Sequence, residues 1–218
     1  MEKRQYDKAI SAFCKALKAA AKHIVPDHMD DGKECCSADP GLTWCLKHQK
    51  RQALSLSYSS EKCDNDLFVH TQPIFIAEHT TRVMSHSCIT SIVMFNLAVA
   101  HHTKAISSTG RGEGQQSRSQ QDLFKARKVY GLCHIMLRDE PFMDTGVLFM
   151  IMLIVNNVGQ INILLKAHSE ARRFFKQLLS LQMLLLDCED ETTWVNLDGI
   201  VQNTSRFILD GCPVAPAA

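Results

Sequence analysis

Cys35, Cys36, Cys45, His48 and Cys63 lie close together in a polar stretch of this 218-residue chain. Thiolates and imidazole are the donors that zinc prefers, but structural zinc sites space their cysteines two to four residues apart. Cys35 and Cys36 are adjacent and Cys63 stands well downstream, so the group reads as solvent-facing thiols in a loop. His101-His102 follows His79 and His86, yet Lys104, Ala105 and Ile106 supply no metal or acid–base partner one helical turn on. Gly110-x-Gly112-x-Gly114 follows no strand and lacks the lysine and serine that end a phosphate loop. With no acid pair, nucleophile motif or cofactor fingerprint, the expectation is a non-enzyme that needs neither cofactor nor metal.

The composition bounds the partner as well. Twenty-four Lys and Arg against 23 Asp and Glu leave a net charge of +1, without the positive surplus that phosphate binding requires. Nucleic acid is therefore not expected. The longest apolar run, Val147 to Val155, stops at Asn156-Asn157, short of the roughly 20 residues of a membrane span; no membrane partner is expected either. Nine cysteines in a chain without a secretory apolar core point to an intracellular, cytoplasmic protein with reduced thiols. Six basic residues among the first 25 keep organelle import open, although Glu2 and Asp7 are atypical of transit peptides.

The elements that must carry any function are helical. Tyr6, Ala9, Ile10, Phe13, Ala16, Leu17 and Ala20 recur at spacings of three and four, which predicts a helix over 3–24 that Pro26 ends. Residues 26–66 show little periodicity and read as a flexible insertion. Leu67 to Ile76 is rich in β-branched and aromatic residues but broken by Pro73; it reads as an extended segment or as an edge hairpin with 53–58. Helices follow over 87–106, 120–137, 145–165, 168–186 and 192–209, with 107–119 as a glycine-containing loop. The third of these is apolar almost all round and should be central. The organisation is thus a helix at 1–25, an insertion at 26–84, a helical domain at 85–211 and a tail at 212–218.

Two stretches share a spacing. Val155, Val158-Gly159 and Asn162 are followed by Ala171, Phe175 and Leu178; Met94, Leu97-Ala98 and His101 are followed by Ala126, Tyr130 and Cys133. The small residues stand twelve apart in one hairpin and 28 in the other, the excess being assigned to the loop. Over residues 3–24 and 88–186 the chain resembles tetratricopeptide-repeat proteins. Phe95-Asn96-Leu97-Ala98 with His101-His102, and Asn156-Asn157-Val158-Gly159, are similar to a diatom family of tetratricopeptide-like proteins. The resemblance implies an all-α fold of antiparallel helix hairpins, an α-solenoid fragment interrupted after its first helix by a long loop or small β-hairpin. It also implies that residues 3–24 are the second half of a repeat whose first helix is missing. The 3–24 helix itself would dock on the 87–137 pair, with a second copy of the chain as the other candidate partner.

The resemblance further implies a function. Asn96 and Asn157 each stand two residues after the opening bulky position, which in tetratricopeptide proteins faces a concave groove; an amide there can bond a peptide backbone or an adjacent helix. The expected role is a non-enzymatic scaffold that binds another protein or peptide, with Asn96, Asn157, His101 and Asn162 as the peptide-binding candidates. Groove neighbours Phe95, Val99 and Leu153 lack the charges of a carboxylate clamp. The alternative is a zinc- or redox-responsive protein that uses the 35–63 cysteines.

Overall fold

The computed structural model describes residues 3–22, 68–76, 84–108, 113–139, 145–186 and 197–208. The regular elements among them are α1 (Lys3–Lys22), α2 (His86–Ser108), α3 (Glu113–Arg138), α4 (Thr145–Leu164), α5 (His168–Leu186) and α6 (Leu197–Ile208). The fold of the described residues is all-α. Contacts run between sequence neighbours: α1 on α2, α2 on α3, α3 on α4, α4 on α5 and α5 on α6.

Small residues set the two tightest pairs. Between α2 and α3, Ala98 and Ala126 are fully buried beside Tyr130 and Cys133, and the Cys133 thiol donates to the Ser91 carbonyl at 3.2 Å. Burial pushes that thiol up to about 12, in keeping with its place in the packed α2–α3 crossing. Between α4 and α5, Gly159 lies under the Phe175 ring, where an added Cβ would come within 2.8 Å of Cζ. Ala171, Phe175 and Leu178 are all buried on the α5 side.

Helix ends follow from local chemistry. Ser85 caps α2, its Oγ accepting the Cys88 N–H at 3.0 Å, the side-chain substitute for a missing backbone acceptor. At the other end of α4, Ala167 N–H donates to the Asn162 carbonyl and Lys166 N–H to the Ile163 carbonyl, both at 2.8 Å. These two bonds form a Schellman turn, and Lys166 occupies its left-handed position with φ 60°.

One boundary differs from what the sequence suggests. The glycine-containing stretch is shorter as a connection than expected, because α2 reaches Ser108 and α3 starts at Glu113. Most of the extra hairpin length is therefore helix. Gln115, Gln116 and Gln120 are good helix formers, and the Ser119 hydroxyl pins this added length to α2 by donating to the Ala105 carbonyl at 3.0 Å. The last helix runs from Leu197 to Ile208. By length and composition α4 is apolar enough to cross a bilayer, since the helix continues, as expected, past Asn156-Asn157, where the unbroken apolar run ends. That stretch is 89% buried within the fold, as befits a core helix.

The amphipathic stripe of α1 (Tyr6, Ala9, Ile10, Phe13, Leu17) is half-buried, while Ala16 is exposed. An ionic contact joins α1 to α2: the Lys104 ammonium lies 2.9 Å from Asp7 and 3.2 Å from the buried Asp122 of α3. Burial alone would lower the Lys104 pKa; its bonds to Asp7 and Asp122 outweigh that and raise it. Of the expected insertion, residues 26–67 and 77–83 lie outside the described residues, and with them the suggested 53–58 hairpin strand. Phe68–Ile76 is extended and has no neighbouring strand among the described residues.

Gly159→Leu should overpack the α4–α5 pair and lower unfolding stability by roughly 1–3 kcal/mol or more; chemical denaturation with an unchanged midpoint would contradict the close approach. Lys166→Gly should do the opposite. Relief of the left-handed φ should raise stability by about 0.5–1 kcal/mol, and a lower melting temperature would count against the turn geometry.

Candidate functional site

Residues 68–76 cross α6, α4 and α2 as an extended chain. Pro73 lacks an amide hydrogen and biases Gln72 away from helical geometry, and the β-branched and aromatic residues around it favour extension. A buried extended chain must still pair its N–H and C=O groups. Here asparagines do so.

Asn203 on α6 accepts the Phe68 N–H at 2.8 Å and donates to the Phe68 carbonyl at 2.7 Å. Asn157 on α4 accepts the His70 N–H at 3.0 Å and donates to the His70 carbonyl at 2.9 Å. Asn96 on α2 accepts the Ile74 N–H and donates to the Ile74 carbonyl, both at 2.8 Å. Each amide thus replaces the facing residue of a neighbouring strand. Residues 68, 70 and 74 share one parity, so in an extended chain their polar groups point to the same edge. Pro73 falls on the opposite edge, where its missing N–H costs no amide pair.

The ladder is braced. The second hydrogen of the Asn157 amide donates to the Tyr130 hydroxyl at 2.9 Å, and that of Asn203 donates to Asn156 Oδ1 at 2.7 Å. The Asn156 amide donates to the Phe68 carbonyl and to Asn157 Oδ1, each at 3.2 Å. All six donor hydrogens of Asn156, Asn157 and Asn203 are thereby engaged.

Side chains of the segment are seated as well. The Phe68 ring lies on Gly199, where any Cβ would overlap it. Gly199 and Asn203 are four residues apart and so share one face of α6. The His70 ring sits 5.8 Å from Phe95, which in turn is 5.8 Å from Tyr130. Ile74 is buried, whereas its neighbour Phe75 is 61% exposed.

The four candidates named from sequence separate into two groups. Asn96 and Asn157 meet on the segment. His101 does not reach it: its Nδ1 lies 3.1 Å from Asp122 on α3, and burial outweighs that bond and lowers its pKa. Asn162 turns back on its own helix, donating to the Val158 carbonyl at 3.0 Å. Asn203, Asn156, Tyr130 and Gly199 are not among the site candidates the sequence offers, although Tyr130 and Asn156 stand in the repeat-like motifs. A signal for Asn203 was present, because Val201-x-Asn203 repeats the Met94-x-Asn96 and Val155-x-Asn157 spacing. The 35–63 cysteines lie outside the described residues, and no group of three or more His, Cys, Asp or Glu placed to share a metal ion occurs among the described ones.

Neutrality dominates the electrostatics. His70 is buried and its pKa is lowered to about 4 by desolvation, which outweighs a hydrogen bond to the Gln72 backbone. His102, packed edge-on to Tyr130 at 6.3 Å, is lowered by burial to about 4, and neither of its ring nitrogens finds a partner among the described residues. Burial also raises the Tyr130 hydroxyl far above its usual range, against its bond to Asn157. Among the described residues, the histidine and tyrosine groups named here are thus held in their neutral forms, and the asparagine amides pair the segment's main chain. Comparison with protein-family models, curated proteins and solved structures finds no match to this chain.

Acid should loosen the fold in a defined window. The unfolded chain takes up protons on His70 and His102 near pH 6.5, while the folded chain resists until about pH 4. Their contribution is thus complete above pH 6.5 and falls as pH drops toward 4. Between pH 7 and pH 5 each should remove about 2 kcal/mol. In His102→Phe, urea titrations at the two pH values should show a loss smaller by about that amount. An acid loss equal to that of the unsubstituted protein would refute a buried neutral His102.

Proposed function

We propose that this chain is a non-enzymatic interaction module, a tetratricopeptide-like array whose groove binds the main chain of an extended polypeptide. One observation carries the reading: Asn96, Asn157 and Asn203, on alternate helices of the series, each pair both polar backbone groups of a single extended residue. Sequential helix packing and the buried small residues at the α2–α3 and α4–α5 crossings support the array. Bidentate amide-to-backbone pairing supports the ligand class, since it is the edge-strand form of peptide recognition carried by side chains. It requires neither charge nor a free terminus. The internal segment 68–76 serves as the bound example.

The reading is tested in a chain whose own segment is released by Phe68→Asp with Ile74→Asp, its helix content checked by circular dichroism. Peptides selected against that chain from a random library should bind saturably. Adding Asn96→Leu or Asn157→Leu should weaken them at least about fivefold, the effect of losing roughly 1 kcal/mol or more of buried pairing. Failure to select any peptide, or binding unchanged by both asparagine substitutions, would defeat the proposal.

A further inference from the structure

We infer that residues 68–76 are a tethered pseudoligand, and that the partner of this face is a polypeptide that displaces them by presenting the same register. That register is an aromatic residue, a flat ring two positions on, and a β-branched aliphatic residue four further on. The inference rests on the reading of the face as a polypeptide-binding surface.

Selection and affinity are carried by different atoms. The three ladder asparagines touch the segment through its backbone, and every amino acid except proline offers them the same N–H and C=O. Choice among sequences must therefore come from the seats. The Phe68 ring fills the space over Gly199 that no other residue type would leave open. His70 stacks its ring near Phe95, a contact that phenylalanine or tyrosine could equally make. Ile74 is 2% exposed within the core. Between them Val69 and Thr71 are half-buried and Phe75 faces outward, so those positions select weakly.

The segment is held by side chains and not by a β-sheet, so its departure breaks no strand pairing. Because it belongs to the same chain, it competes with any partner at a high local concentration.

The probe is the synthetic nonapeptide Phe-Val-His-Thr-Gln-Pro-Ile-Phe-Ile, fluorescently labelled and followed by anisotropy on the full chain. The Phe68→Asp/Ile74→Asp chain should bind it at least tenfold more tightly than the unsubstituted chain. Peptides with Asp in place of the first Phe or the first Ile should bind that chain at least tenfold more weakly. Peptides altered at the Val or Thr positions should stay within about threefold. On the unsubstituted chain, excess nonapeptide should accelerate hydrogen exchange at the Phe68, His70 and Ile74 amides, a readout that needs no variant to fold.

Equal affinity of both chains for the nonapeptide, with no change in exchange, would overturn the pseudoligand. Equal affinity for all altered peptides would overturn the register. Either result leaves the proposed function standing if library peptides still bind through the asparagines, whereas loss of all peptide binding by a folded, released chain removes both.

Discussion

A stretch of extended backbone is buried in an all-helical protein, and its polar groups have to be satisfied there. Helices cannot do this with their own main chain, because their N–H and C=O groups are consumed internally. Side chains must supply both a donor and an acceptor from one short group. Asparagine does so; aspartate could accept but not donate, and serine would have to do both through one hydroxyl. Three asparagines on three helices therefore stand in for a neighbouring strand, of which there is none among the described residues. Leaving even one of these residue pairs unmet would cost about 1–3 kcal/mol for each buried group.

The bracing around the ladder follows from the same constraint. An amide can bond its ligand in the right orientation only if the flipped alternative is worse, and the remaining hydrogens decide that. Tyr130 accepts one from Asn157, and Asn156 accepts one from Asn203. Tyr130 reaches this position from α3, whose close approach to α2 depends on Ala98 and Ala126. The small residues at the crossings thus act on the segment at one remove. They bring the helices near enough for a phenol on one to steady an amide on the next. The segment in turn spans helices that are separated in the sequential packing order, since it touches α6, α4 and α2 in one pass.

How much of this could be read from sequence depends on how local each signal is. Helix content, the central burial of 145–164 and the small residues at the crossings follow from short-range periodicity. Asn96 and Asn157 stood out because each follows a bulky residue at a fixed offset. Asn203 obeys the same offset, but it lies beyond 88–186, the stretch over which the repeat spacing extends. The stretch before Gln120 reads as loop because its glycines outweigh its glutamines; in the structure it is helix, held to α2 through Ser119. The path of residues 68–76 was the least legible feature. An isolated extended segment carries no mark of its partners when these lie 22, 87 and 135 residues away. His101 and Asn162 are groove candidates by repeat position alone; in the structure His101 pairs with Asp122 on α3, and Asn162 with the Val158 carbonyl of its own helix, a local bond of the kind that competes with distant ones.

The buried histidines are neutral because burial leaves a charge there without solvent: His70 in the segment and His102 beside Tyr130 both have their pKa lowered. The segment is held by two separate sets of contacts. The asparagines pair its main chain, whereas Gly199 and Phe95 receive its rings. Main-chain pairing is tolerant of sequence and shape is not, so under the proposed function affinity resides in the asparagines and choice in the residues around them.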